Sequence, residues 1–143
     1  MPARKDISMS DQNLSPEDRR FLDQHRDKLS ESTLRARWIN APDQHQDRDG
    51  QTLATRSHAV IEQWASERGG QPATVAGTEH GGRPGVLRFI FQEPDDSKLQ
   101  KISWGDWFKS FDSRDLVFIY QEHKSDGHQS NFFRLDNPNH EDG

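Results

Sequence analysis

Residues 103–122, S-W-G-D-W-F-K-S-F-D-S-R-D-L-V-F-I-Y-Q-E, decide the fold. In their first half Trp104, Trp107, Phe108 and Phe111 recur at the spacing of one helix face. In their second half Leu116 to Tyr120 is a run of branched and aromatic residues, which reads as a strand over Leu116–Glu122. The helix entrance is written out as well. Ser103 can cap, Asp106 stands where a capping-box acid belongs, and Ile102 can staple onto Trp107, so the helix is expected to begin at Trp104. Downstream, Ser125-Asp126-Gly127 makes a turn and Gln129–Leu135 a last strand.

The same order, a helix and then two strands, is present once before. Val60, Ile61, Trp64 and Ala65 fall at helical spacing within Ser57–Arg68, and Gly69-Gly70 supplies a left-handed stop. Pro72 forces extended chain into a short strand, where Ala73, Val75 and Gly77 alternate with Thr74, Ala76 and Thr78. A glycine-rich loop, Glu79–Gly85, leads into Val86–Gln92 (V-L-R-F-I-F-Q), the clearest strand of the chain. Glu93–Lys98 reads as an acidic loop. The two units predict an α+β fold: a two-layer sandwich, α-β-β-α-β-β, with one four-stranded antiparallel sheet and both helices on one face.

Ahead of this core lies an arm. Ser15-Pro16-Glu17-Asp18 makes a capped helix start, with a thin apolar stripe of Leu14, Phe21, Leu22 and Leu29, predicting a helix over Pro16–Leu29. A second helical piece is expected over Glu31–Trp38, and Asn40–Gly50 reads as a loop. The chain therefore divides into a disordered terminus (1–13), a helical arm and loop (14–56), the α+β core domain (57–136) and a flexible tail (137–143).

Composition narrows function. The chain has 143 residues, enough for one core, and no cysteine, which removes disulfides, thiolate nucleophiles and Cys-ligated metals. A formal charge of -5 and a pI of about 5.8 give no long-range attraction for nucleic acid. Met1–Ser15 lacks the apolar middle of a signal peptide and no apolar run is long enough to span a bilayer, so a cytoplasmic location is expected.

No motif with a specific chemistry emerges. The glycine-rich loop, with Arg83 and His80, joins two strands rather than a strand and a helix, so it reads as a hairpin tip and not a phosphate cradle. His123 and His128 flank a turn with Asp126 between them, which reads as exposed turn rather than metal site. Ser57 beside His58 and Ser130 beside Asn131 are not in an activated setting. Glu122, following Tyr120 on a strand, is read as an ordinary charged strand end. Arg35, Arg37, Arg48 and Arg56 are interleaved with Asp43, Asp47 and Asp49 and read as a mixed solvated surface. An enzyme using His58 or His80 as acid or base is the weakest option. Neither a metal nor a cofactor is expected.

What remains is the second face of the sheet. If Leu87, Phe89 and Phe91 point at the helices, Val86, Arg88 and Ile90 point away, joined on the neighbouring strands by one of two alternating sets, Phe118 and Tyr120 or Phe132 and Arg134. Such a face calls for cover, either from Trp38, Ile39 and Leu53 of the arm or from a partner. The expected contact residues are Arg88, Ile90, Tyr120, Phe132 and Arg134. The expected function is a non-enzymatic interaction domain that acts through its sheet face or its N-terminal arm on a protein partner or a second copy of itself. The alternative is single-stranded nucleic-acid binding by the same residues, with Lys109 and Lys124 adding charge.

Between Arg56 and Leu135 the stretches R-S-H-A-V-I-E-Q-W-A-S-E-R-G-G-Q-P-A-T-V, G-T-E-H-G-G-R-P-G-V-L-R-F, I-S-W-G-D-W-F-K-S-F-D and L-V-F-I-Y-Q-E resemble a family of short, uncharacterised bacterial proteins. The resemblance covers a little over half of the chain and implies no activity. Members of such families are sometimes labelled glucan-branching enzymes, a label that does not suit this chain, because a barrel glycosidase needs roughly 250 residues and paired carboxylates on separate strand ends. Glu93–Gln100 is more acidic than the family pattern.

Overall fold

A computed structural model describes residues 15–78, 85–91 and 98–138. The expectations for the N-terminus (1–13), the tip of the glycine-rich loop with His80 and Arg83, the acidic loop over 93–98 apart from Lys98, and the end of the tail (139–143) lie outside the described residues.

The elements in chain order are α1 (Pro16–His25), α2 (Glu31–Arg35), β1 (Arg37–Ile39), β2 (Leu53–Thr55), α3 (His58–Glu67), β3 (Gln71–Val75), β4 (Leu87–Ile90), β5 (Leu99–Lys101), α4 (Trp104–Ser113), β6 (Val117–Tyr120) and β7 (Phe133–Asp136). The fold is α+β, as expected. Each of the four described helices follows a capping serine: Ser15, Ser30, Ser57 and Ser103 each accept the backbone N–H three residues on. At the far end of α3, Gly69 takes φ +70°, a conformation that a side chain would resist.

The expected single antiparallel sheet is replaced by two sheets. Both expected hairpins form, β3 with β4 and β6 with β7. They do not join each other. The free edge of β3 is taken by β5, giving the order β4-β3-β5, and that of β6 by β2, giving β1-β2-β6-β7 with β1 and β2 parallel. The strands that intervene, β1, β2 and β5, are three residues each. So short a segment holds barely one alternation, too little to stand out from the polar loops around it.

Two helix boundaries also move. α1 stops at His25, where Leu29 N–H turns back to the His25 carbonyl at 3.1 Å, so Leu29 reaches the interior from a turn. Likewise α2 stops at Arg35, and Trp38, expected at the end of that helix, lies in β1. The side chain of Asp136 on β7 holds the start of α2, accepting from Ser30 N–H at 3.0 Å and the Thr33 hydroxyl at 2.5 Å.

The four-stranded sheet is apolar on both faces. One face carries Ile39, Leu53, Phe118 and Tyr120, with Phe133 and Leu135, into the main core beside α3, α4, Leu87 and Phe89. Both of these helices lie on that side, as expected. The other face carries Trp38, Ala54, Val117 and Ile119, and Phe21, Leu22 and Leu29 of the arm pack on it. The reverse of this sheet is thus covered from within the chain, but of the expected trio only Trp38 belongs there; Ile39 and Leu53 face the main core because they alternate with Trp38 and Ala54 along their strands.

Trp64 is the hub of the main core, its ring lying within 6.1 Å of those of Phe89, Phe91, Phe118, Tyr120 and Phe133. Beside it Arg68, its side chain only 2% exposed, stacks over the indole at 4.5 Å. Its guanidinium donates to three main-chain carbonyls: Ser130 at 2.5 Å, Trp64 at 2.9 Å and Glu122 at 2.9 Å. A buried cation is tolerable here because each hydrogen-bonding edge is matched, and the side chain works as a strut between α3 and the β6–β7 hairpin.

Candidate functional site

The five expected contact residues do not share a surface. Tyr120 is 1% exposed in the main core, where burial raises its phenol pKa, and among the described residues its buried hydroxyl has no hydrogen-bond partner. Arg88 and Ile90 lie on the outer side of the three-stranded sheet, Arg88 exposed and Ile90 4% exposed. Phe132 stands 46% exposed next to β7. Arg134 belongs to the arm side of the four-stranded sheet, opposite Ile119, and its guanidinium donates to the hydroxyls of Ser30 and Ser32. Parity explains the scatter: Tyr120 and Arg134 alternate onto opposite faces of one sheet, while Arg88 and Ile90 belong to another.

Arg134 nevertheless leads to a site. Ser32, which its guanidinium reaches, lines a cleft of about 320 Å³ together with Arg35, Arg37, Arg48, Gly50 and Thr52. Three arginines that the sequence spreads among aspartates therefore meet in one place. Arg35 comes from the last turn of α2, where its Nη2 pairs with Glu31 Oε1 at 3.1 Å. Arg37 opens β1; its Nε donates to the His45 carbonyl at 3.2 Å and its Nη1 pairs with Asp47 at 3.3 Å. Arg48 is exposed and, among the described residues, its guanidinium has no partner.

The loop that carries Arg48 is held rather than free. Gln46 accepts at Oε1 from the backbone N–H groups of Glu122 and His123, at 3.2 and 3.1 Å, and Gln46 N–H donates to the Glu122 carboxylate. His45 Nδ1 meets the other carboxylate oxygen of Glu122 at 2.9 Å. Gly50 donates to the His123 carbonyl at 2.8 Å with φ +79°, and a Cβ there would sit 2.7 Å from the Ser125 hydroxyl oxygen. Glu122, read from sequence as an ordinary strand end, is thus an anchor for this loop.

A second cleft, of about 670 Å³, lies between the starts of α1 and α3 and is lined by Ser15, Glu17, Asp18, Asn40, Arg56 and Ser57. Arg56 stacks over Phe21 at 4.3 Å and donates through Nε to the Leu116 carbonyl at 3.0 Å. Nearby, His58 Nε2 lies 3.0 Å from both carboxylate oxygens of Asp112 and its ring stacks on Phe108 at 3.9 Å. His58 thus ties α3 to the end of α4. Asp18 is 8% exposed, and desolvation raises its pKa against the opposing effects of its Ser15 hydrogen bond and the Arg56 charge.

This shift has a testable sign. Because the folded state holds the Asp18 proton more tightly than the unfolded one, the stability linked to this carboxyl is present below its unfolded pKa and is lost as pH rises through the folded one. Asp18→Asn removes that dependence. The urea midpoint of the variant relative to wild type should therefore increase between about pH 3.5 and about pH 7, the range that spans carboxylate titration. A difference that stays flat across this range would refute the assignment.

Among the described residues no group of three His, Asp or Glu side chains is placed to hold a metal ion, and no helix is long and apolar enough to cross a membrane. In the last hairpin Asp126 pairs with the His128 ring at 3.2 Å, and the backbones of His123 and Gln129 form an antiparallel bridge. In comparisons with protein-family profiles, curated proteins and solved structures, the chain matches none.

Proposed function

We propose that the protein is a non-enzymatic, cytoplasmic interaction module that receives an acidic segment of a protein partner on its N-terminal arm. The observation that carries this reading is the meeting of Arg35, Arg37 and Arg48 in one cleft, with Arg134 one hydroxyl away, on a chain of net charge -5. A local cation cluster on an anionic protein directs an acidic segment to one place, since the rest of the surface repels it. Of the expected contact residues only Arg134 takes part. Tyr120, which base stacking on the sheet would need, is buried, and this favours the protein partner over single-stranded nucleic acid.

The test uses the full chain and a fluorescein-labelled peptide of alternating glutamate and glycine, followed by anisotropy. Saturable binding is expected in low salt, weakening as ionic strength rises, and the double variant Arg35→Glu, Arg48→Glu should abolish it. Both positions are exposed, so the variant should fold, which circular dichroism can verify. Equal binding by wild type and double variant would overturn the proposal.

A further inference from the structure

The donors of the arginine cleft are arranged for more than a carboxylate. We infer that the cleft holds a phosphate monoester, the side chain of a phosphorylated serine or threonine in the partner segment; this rests on the reading of the arm as the partner-binding surface.

The first ground is the count of donors. A guanidinium presents five N–H groups in a fixed fork, and a carboxylate has two oxygens to receive them. Arg48 has all of its donors free among the described residues, Arg35 gives one nitrogen to Glu31, and Arg37 commits two to His45 and Asp47. Ser32 and Thr52 also line the cleft, the Ser32 hydroxyl already meeting Ser30 and the Arg134 guanidinium. A phosphate monoester offers three terminal oxygens and a charge near -2, which uses forks arriving from several sides where a carboxylate saturates one.

The second ground is what the competing acids contribute. The Arg35–Glu31 pair is 76% and 83% exposed at its two side chains, while in the Arg37–Asp47 pair Asp47 is 50% exposed and Arg37 only 17%. A pair as open to solvent as Arg35–Glu31 contributes little, so an incoming dianion displaces it at little cost. The third ground is shape and rigidity. Among the described residues no aromatic ring lines this cleft of about 320 Å³, which leaves a nucleobase nothing to stack on. Arg48 and Gly50 ride on a loop pinned to the β6–β7 hairpin through Gln46 and Gly50, so this wall is in place before a ligand arrives.

Anisotropy titrations of the full chain with one labelled glycine-rich nonapeptide decide the matter, its central residue being phosphoserine, glutamate or serine in turn. The phosphoserine peptide should bind at least about 10-fold more tightly than the glutamate peptide, and the serine peptide should not saturate. Arg48→Ala should weaken the phosphoserine peptide by about 10-fold or more, with Arg48→Lys restoring only part, because lysine keeps the charge and loses the fork. Equal affinity for phosphoserine and glutamate would overturn the phosphate assignment while leaving the acidic-partner reading intact; binding of neither would overturn both. Competition by inorganic phosphate at the concentration at which the peptide binds would assign the cleft to the free ion, and tighter binding of a single-stranded dodecamer would assign it to nucleic acid, either of which overturns the phosphopeptide.

Discussion

Replacing Trp64 by alanine is expected to destabilise the protein by about 3–5 kcal/mol, the range for removing a large aromatic from a packed interior. The reasons lie in its surroundings. Its ring contacts aromatic side chains from β4, β6 and β7 as well as Phe91, its indole N–H donates to the Gln121 carbonyl at 2.8 Å, and its face carries the Arg68 guanidinium. Alanine leaves a cavity where two sheets meet and removes the surface that keeps Arg68 in place, so the strut to Ser130 and Glu122 loosens as well. A loss of this size approaches the whole stability of a small domain. Chemical denaturation should show the midpoint collapsing toward zero denaturant. A loss below about 1 kcal/mol would mean that Trp64 is not the hub described above.

Trp38→Ala is expected to cost a similar amount, about 3–5 kcal/mol, although it lies on the other side of the sheet. Trp38 is fully buried, its indole N–H donates to the Thr33 carbonyl at 3.2 Å, and its ring faces Phe21 of α1 at 6.4 Å. It holds the arm helices to Val117 and Ile119 of the central strand β6. Since β2 of the arm pairs directly with β6, loss of this packing should lower one transition shared by arm and core. Far-UV dichroism and tryptophan fluorescence should therefore report the same midpoint in wild type and variant. An arm that melts first, leaving the main transition unmoved, would contradict the shared sheet.

The two substitutions fall where sequence and structure part company. Trp64 was legible as a core residue because it recurs with Val60, Ile61 and Ala65 at helical spacing, a signal contained within α3. Trp38 looked like the end of a short helix because nothing local distinguishes it. Its strand has three residues, and its partner begins at Leu53, beyond the polar loop from Asn40. The contact face failed for a related reason. Alternation established correctly that Leu87 and Phe89 are on the same side, yet assigning Tyr120 and Arg88 to one surface required knowing that β4 and β6 share a sheet, which they do not. The arginine cleft was hidden more deeply still. Arg35, Arg37 and Arg48 stand among Glu31, Asp47 and Asp49, and along the chain the charges cancel.

Local patterning was sufficient for the α+β class, the helix starts at Ser15, Ser57 and Ser103, the two hairpins and the aromatic core, since each depends on residues within a turn or an alternation of one another. Tertiary structure decided which strand edges meet, which face the arm covers and which charges gather at its corner. Those outcomes depend on pairing between segments far apart in the chain, such as Leu53 with Tyr120 or Ser32 with Arg134, and a hydrogen bond across that distance leaves no periodicity in either segment.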